Sequence, residues 1–436
     1  MKHWFQDQHF RSLLRNTSYL GVSKIIAAVA GLATFAFAGR GLGVVPFGTL
    51  ILITSYVKAV DGIAKFQSWQ LIVRYGGHGV AHGDPEHFKV ATGFAFTLDM
   101  LSGIGGMIVG VALLPVLGAL VGINSEYLWL AMLYCTLVPI MNSATPDGVL
   151  RVLDRFDLLS WGDTVMPISR AVLAAAAFIG HASLPVYVGI WYATDLLGAL
   201  YFWTFGWREL RRHDLFAGMR PTLRPTQLPG AWRFAIDVNL AASVQAVWGP
   251  IGRLVVGALL GPASAGLFRI ASTLADAAQK PADLLGKAFY PEIMRMDLSS
   301  SKPWKLMWRG TALIAGVALL AILILLTGGK PLMLLLFGKA YLGAYHPLLI
   351  LMAVPFIGIF TFPFSPMLYA LGRSDGPLKA KLLGSGVFFV TIAPCSWAWN
   401  ITGAAVALVL ANAVNALAMT VQLGGERRRV RAARAT

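Results

Sequence analysis

Apolar runs of about twenty residues follow one another along the whole chain, separated by glycines, prolines and short charged stretches. That length is what an α-helix needs to cross the hydrocarbon core of a bilayer, whereas a membrane barrel would show short alternating segments. The pattern predicts an all-α integral membrane protein with twelve transmembrane helices, near 17–38, 44–66, 90–121, 126–146, 160–181, 184–206, 234–259, 264–288, 307–328, 344–370, 378–397 and 401–423. The third is long for one crossing, so it tilts or extends beyond the bilayer. Asp99, Asp237 and Arg253 interrupt the apolar pattern of the third and seventh.

The pattern also repeats. The elbow Leu42-Gly43 with Gly48 and Leu50 returns as Leu260-Gly261 with Gly266 and Phe268, 218 residues later. Leu153-Asp154-Arg155 with Asp157 returns at the same displacement as Leu371-Gly372-Arg373 with Asp375. One shared displacement points to two tandem halves, a common construction of secondary transporters. The expected domains are an N-lobe over 1–207, a cytoplasmic linker over 208–233 rich in Pro and Arg, and a C-lobe over 234–436.

Composition sharpens this picture. The chain is 57% hydrophobic and only 13% charged, against about 25% charged in soluble domains. Its net charge of +16 would point to nucleic acid in a soluble protein; here 27 of the 36 Lys and Arg fall in alternate loops and the tails. By the positive-inside rule those loops and both termini are cytoplasmic. With six spans per half, the halves are parallel repeats forming N- and C-lobes around a central cleft. No soluble domain offers a nucleic-acid surface. The two cysteines, Cys135 and Cys395, both fall inside spans, which indicates neither a disulfide framework nor a metal site.

Ionisable residues at bilayer depth cost about 2.5–3.5 kcal/mol each, so they face a partner or water. They concentrate on the first two helices of each half. Lys24, Arg40, Lys58, Asp61 and Lys65 belong to one half, and Asp237, Arg253, Arg269, Asp276, Lys280, Asp283 and Lys287 to the other. Lys58 with Asp61, Asp276 with Lys280, and Asp283 with Lys287 have the spacing of pairs along one helix face. Lys24, Arg253 and Arg269 have no acid three or four residues away. Four helices carrying surplus positive charge predict a polar cleft for an anion, since guanidinium forks match phosphate oxygens. Lys24, Arg40, Lys58, Arg253, Arg269 and Lys280 are the substrate-binding candidates. Asn239, Ser243, Gln245, Trp248, Gln67 and Trp69 could meet sugar hydroxyls and rings.

These residues carry a resemblance. Gly41-Leu42-Gly43-Val44-Val45-Pro46-Phe47-Gly48 resembles the start of bacterial polysaccharide-biosynthesis flippases, as does Phe66-Gln67-Ser68-Trp69-Gln70-Leu71-Ile72-Val73-Arg74-Tyr75-Gly76. Gly266-Leu267-Phe268-Arg269-Ile270-Ala271 and Pro291-Glu292-Ile293 are similar to their eighth-helix region. That family shares a superfamily with two-lobed multidrug exporters and lipid II flippases. The resemblance implies transport of an undecaprenyl-diphosphate-linked oligosaccharide across the bacterial inner membrane for O-antigen, capsule or exopolysaccharide, without an enzymatic step or cofactor. Membrane lipids are the other implied partner. Asp61, Asp99, Asp237 and Asp276 are the candidates for proton or sodium coupling, with charge balance as the alternative role.

Two other functions compete. A cation-coupled multidrug exporter favours an acidic, aromatic cavity, so the sign of the charge discriminates. A membrane polymerase or glycosyltransferase carries a large extramembrane loop, and the loops here are short and basic. His78 and His82 have helical metal-ligand spacing, but the surrounding glycines and Pro85 predict a solvated loop.

Overall fold

The computed structural model describes residues 26–77, 84–294, 311–312, 315–316, 323, 325–371, 373 and 375–435, with backbone alone at 237, 240–242, 244–248, 281–294, 369–370 and 427–435. The fold is helical as expected, with no strand among the described residues. Among the described residues, six helices are long and apolar enough to cross a membrane, and a bent pair makes a seventh. By internal packing the chain divides into two compact units, Met1–Leu254 and Val255–Thr436.

In the first unit, α1 (Ile26–Leu42) turns through Gly43 into α2 (Val44–Ala64). Gly43 has φ 76 and ψ 175, a conformation open only to glycine at low cost. Every residue of α2 from Phe47 to Val57 is buried, so this helix is the axis of the unit. The short α3 (Ser68–Leu71) continues as a π-helical turn over Ile72–Gly76. Then α4 (Pro85–Leu120) starts where the Asp84 carboxylate accepts from the amides of Glu86 and His87, with Pro85 in the first turn. It presents Leu101, Ile104, Ile108 and Leu113 outward, as a lipid-facing helix would.

The fourth expected span is broken. It comprises α5 (Leu128–Cys135), α6 (Val138–Met141) and α7 (Ala144–Val152), with a bend of 43° between the part ending at Cys135 and the part starting at Val138. Pro139 and Pro146, which lack an amide hydrogen, stand in the first turns after the breaks. Two unbroken helices follow, α8 (Phe156–Ile179) and α9 (Leu184–Arg212).

Residues 213–230 are more than a tether. Leu215 and Leu228 are buried with Phe88, Phe94 and Leu210 in one cluster. The Trp232 indole donates to the Leu223 carbonyl at 3.0 Å, and Tyr75 to the Pro229 carbonyl at 3.2 Å. A Cβ on Gly93 would lie 2.2 Å from the Arg220 carbonyl oxygen, so the linker packs directly on α4.

Next, α10 (Ala231–Met294) spans the seventh and eighth expected helices and bends at Gly261, with φ 81 and ψ 174. The backbone of the first elbow thus recurs at its sequence partner. Most of the expected 307–328 span lies outside the described residues; α11 (Leu325–Leu336) covers its end. The tenth span is divided into α12 (Tyr345–Leu351), α13 (Ala353–Thr361) and α14 (Phe364–Ala370). The last two spans form α15 (Gly376–Ala435), which breaks at Trp399 and Asn400.

Candidate functional site

Ser55 lies in the buried stretch of α2 and accepts a 2.7 Å hydrogen bond from Nε of Arg253. Arg253 is only 9% exposed, so a guanidinium 198 residues away in sequence is held against the axial helix of the first unit. Helical phase places Asn239 and Ser243 within about 80° of Arg253 around α10. The Asn239 Oδ1 and Ser243 Oγ atoms are buried without a hydrogen-bond partner among the described residues, and so is Oδ1 of Asp61 on α2. Leaving such an atom unpaired costs about 1–3 kcal/mol. These atoms are spread along the two helices joined by Arg253 and Ser55, Ser243 and Asn239 about 15 and 21 Å from Arg253 and Asp61 about 9 Å from Ser55, and each would be completed by water or a ligand.

One turn beyond Ser55 stands Lys58, half-buried, in electrostatic range of both Asp61 and Asp195. Asp195, on α9, anchors a network that sequence reasoning left unassigned. It accepts from the Tyr134 hydroxyl and from Nη2 of Arg170 on α8. Nε of Arg170 donates to Thr194 Oγ1 at 2.8 Å, and its guanidinium lies 5.2 Å from the Trp191 ring centre. The usable signal was Arg170 and Asp195 on two consecutive spans whose only other charged residue is Asp163.

Asp99 forms a separate cluster. Fully buried on α4, it accepts from Ser68 Oγ at 2.5 Å and from the amide and hydroxyl of Thr145 at 2.9 and 2.6 Å. The Asn142 amide reaches the Asp99 carbonyl at 3.5 Å. This carboxylate therefore pins α3 and α7 to α4 with neutral donors.

The remaining candidates are dispersed. Arg40 is exposed at the end of α1. Arg269 is half-buried in the second unit, with Asp276 two turns further on α10 and in electrostatic range; Asp276 and Lys280 are exposed. Lys24, His78 and His82 lie outside the described residues, as do the side chains of Asp237, Gln245, Trp248, Asp283 and Lys287.

At the cytoplasmic ends predicted from charge, the second repeated motif has one geometry in both units. Arg155 pairs with Asp157 at 2.9 Å and with Glu209 at 2.7 Å. Arg373 pairs with Asp375 at 3.6 Å and with Glu426 at 2.9 Å. Hydrogen bonds from Arg155 hold the Asp157 carboxyl below its ordinary range, and the Lys379 ammonium does the same for Asp375. The glutamates, one at the end of α9 and one within α15, were not legible as part of the motif.

Comparison with known proteins gives the family and the fold. A family described as polysaccharide biosynthesis protein matches residues 13–297. The inner membrane protein YghQ of Escherichia coli strain K12 is 41% identical over 347 residues, covering 79% of this chain and 98% of its own. Among solved structures, the lipid II flippase MurJ in an inward closed conformation superposes with a TM-score of 0.70 at 11% identity, over 93% of this chain and 87% of that one. An outward-facing multidrug resistance MATE family transporter gives 0.64 at 15% identity, over 97% and 96%. At those identities the structural matches speak for the fold, which is the two-lobed, twelve-helix architecture read from the sequence.

Proposed function

The chain belongs to the polysaccharide biosynthesis protein family, and from that premise we propose that it moves a polyprenyl-diphosphate-linked oligosaccharide across the membrane by alternating access. The supporting observation is Arg253, a buried guanidinium seated on Ser55 one turn from Lys58, with unpartnered polar atoms of Asp61, Asn239 and Ser243 elsewhere on the same two helices. A guanidinium and an ammonium suit a diphosphate, and the amide and hydroxyls suit the first sugar. The polyprenyl tail stays in lipid, where its transfer to water would be prohibitive. Asp61 is the acid best placed to couple a proton or sodium ion to that site. We assign the protein to the bacterial inner membrane, with both termini cytoplasmic, and the glycan to a surface polysaccharide.

The fold is shared with multidrug exporters, so charge decides between the two cargoes. Around Ser55 the cations Lys58 and Arg253 face an anion, whereas an organic cation would meet their repulsion. Arg253→Ala combined with Lys58→Ala, at wild-type membrane abundance, should abolish polysaccharide export in the producing cell. Normal export by that variant would refute the assignment.

A further inference from the structure

Outside the Ser55–Arg253 site, the first unit has a cavity of about 810 Å³ where α9 enters the linker. Its walls include Phe96 of α4, Thr204, Trp207, Arg208 and Arg211 of α9, and Phe216. We propose that this cavity binds the head group of an anionic phospholipid of the cytoplasmic leaflet, at a site separate from the transported cargo.

Three features point to that ligand. First, the outer face of α9 reads Leu197, Leu200, Thr204, Arg208, Arg211, at successive steps of three and four residues. Leu197 and Leu200 are 45% and 46% exposed, so an acyl chain lies along them while the head group meets Arg208 about 12 Å further on. Second, the cavity wall is an aromatic cluster of the kind found at membrane interfaces. Trp203 stacks on Trp207 at 5.7 Å, Phe96 meets both edge-on, and Phe216 abuts Trp207 at 5.5 Å. Third, the charge on this lip is compensated only in part. Arg212 reaches Glu209 at 3.1 Å, but Glu209 already serves Arg155. Arg211 lies over Phe216 at 5.1 Å, and neither Arg208 nor Arg211 is within ion-pair distance of a carboxylate among the described residues. Two guanidinium groups one turn apart repel unless an anion joins them, and a phosphodiester supplies one.

Native mass spectrometry of the full-length protein, titrated with phosphatidylglycerol or phosphatidylcholine, tests this. Phosphatidylglycerol should bind preferentially. Arg208→Gln with Arg211→Gln should weaken it about thirtyfold, from about fivefold per arginine near an anionic surface, while Arg224→Gln on the same linker leaves it unchanged. Thr204→Trp, which fills the cavity from the lipid side without altering charge, should weaken it too. Equal binding of the two lipids would overturn the proposal, as would unchanged binding in both site variants. Binding of only inorganic pyrophosphate or a polyprenyl diphosphate would overturn it as well, since that would make the cavity part of the cargo route.

Discussion

The two units share backbone devices and differ in what they bury. Gly43 and Gly261 hold nearly the same positive φ, and Arg155 and Arg373 each tie an adjacent aspartate to a glutamate from a later helix. The interiors diverge. Arg170 is replaced 218 residues later by Phe388, which is 1% exposed, and Lys58 by Asp276. Ile51, fully within the first core, has Arg269 as its counterpart. Repetition preserved what shapes the chain, while buried charge was distributed separately in each unit. Lys58 and Arg253 of the proposed anion site have Asp276 and Phe35 at the corresponding positions, so that site would have no duplicate.

The largest test of that contrast is the Arg170–Asp195 pair. Asp195→Ala leaves a buried guanidinium, so stability of the purified protein should fall by about 3–5 kcal/mol. Arg170→Leu with Asp195→Leu, which imitates the apolar interior of the second unit, should recover most of the loss; additive losses would show that the pair is not coupled. Next are the glutamates. Glu209, 3% exposed and shared by two arginines, should cost about 1.5–3 kcal/mol as Gln, whereas Glu426→Gln, at a carboxylate 15% exposed, should cost about 1 kcal/mol or less. Unfolding of each variant in detergent measures both, and equal losses would contradict the burial argument.

The elbows should then behave alike. Among the described residues, none beyond its chain neighbours comes within 4 Å of a Cβ built on Gly43 or Gly261, so alanine at either should cost backbone strain of about 1–3 kcal/mol. Unequal values would mean that the shared geometry does not carry equal stability. Smallest is the acid response. Asp157 and Asp375 have folded values held below the ordinary 3.8, so their contribution is complete above that pH and is lost as pH falls through the lower values. A stability titration from pH 6 to pH 3 should show this loss, and Asp157→Asn should remove the share of the first unit.

What the sequence disclosed was local or periodic. The glycine elbows and the Arg155 and Arg373 motifs are short patterns whose backbone and nearest contacts follow from neighbouring residues. The apolar spans among the described residues were legible because bilayer thickness fixes helix length, although Pro139 and Pro146 break one of them. Partners on other helices were hidden. Arg170 finds Asp195 across 25 residues, Asp99 finds Ser68 and Thr145 across 31 and 46, and Arg253 finds Ser55 across 198. The linker misled in a different way, since its Pro and Arg content concealed Leu215 and Leu228 as core residues.

Reconstitution gives the most direct test of the central claim. Proteoliposomes containing the purified chain and a fluorescent polyprenyl-diphosphate oligosaccharide should show protein-dependent movement of the label between leaflets, lost with Arg253→Ala and retained with Arg224→Gln. Equal movement by Arg253→Ala, or by an uncharged glycolipid in place of the diphosphate, would contradict a cargo site built on that buried guanidinium.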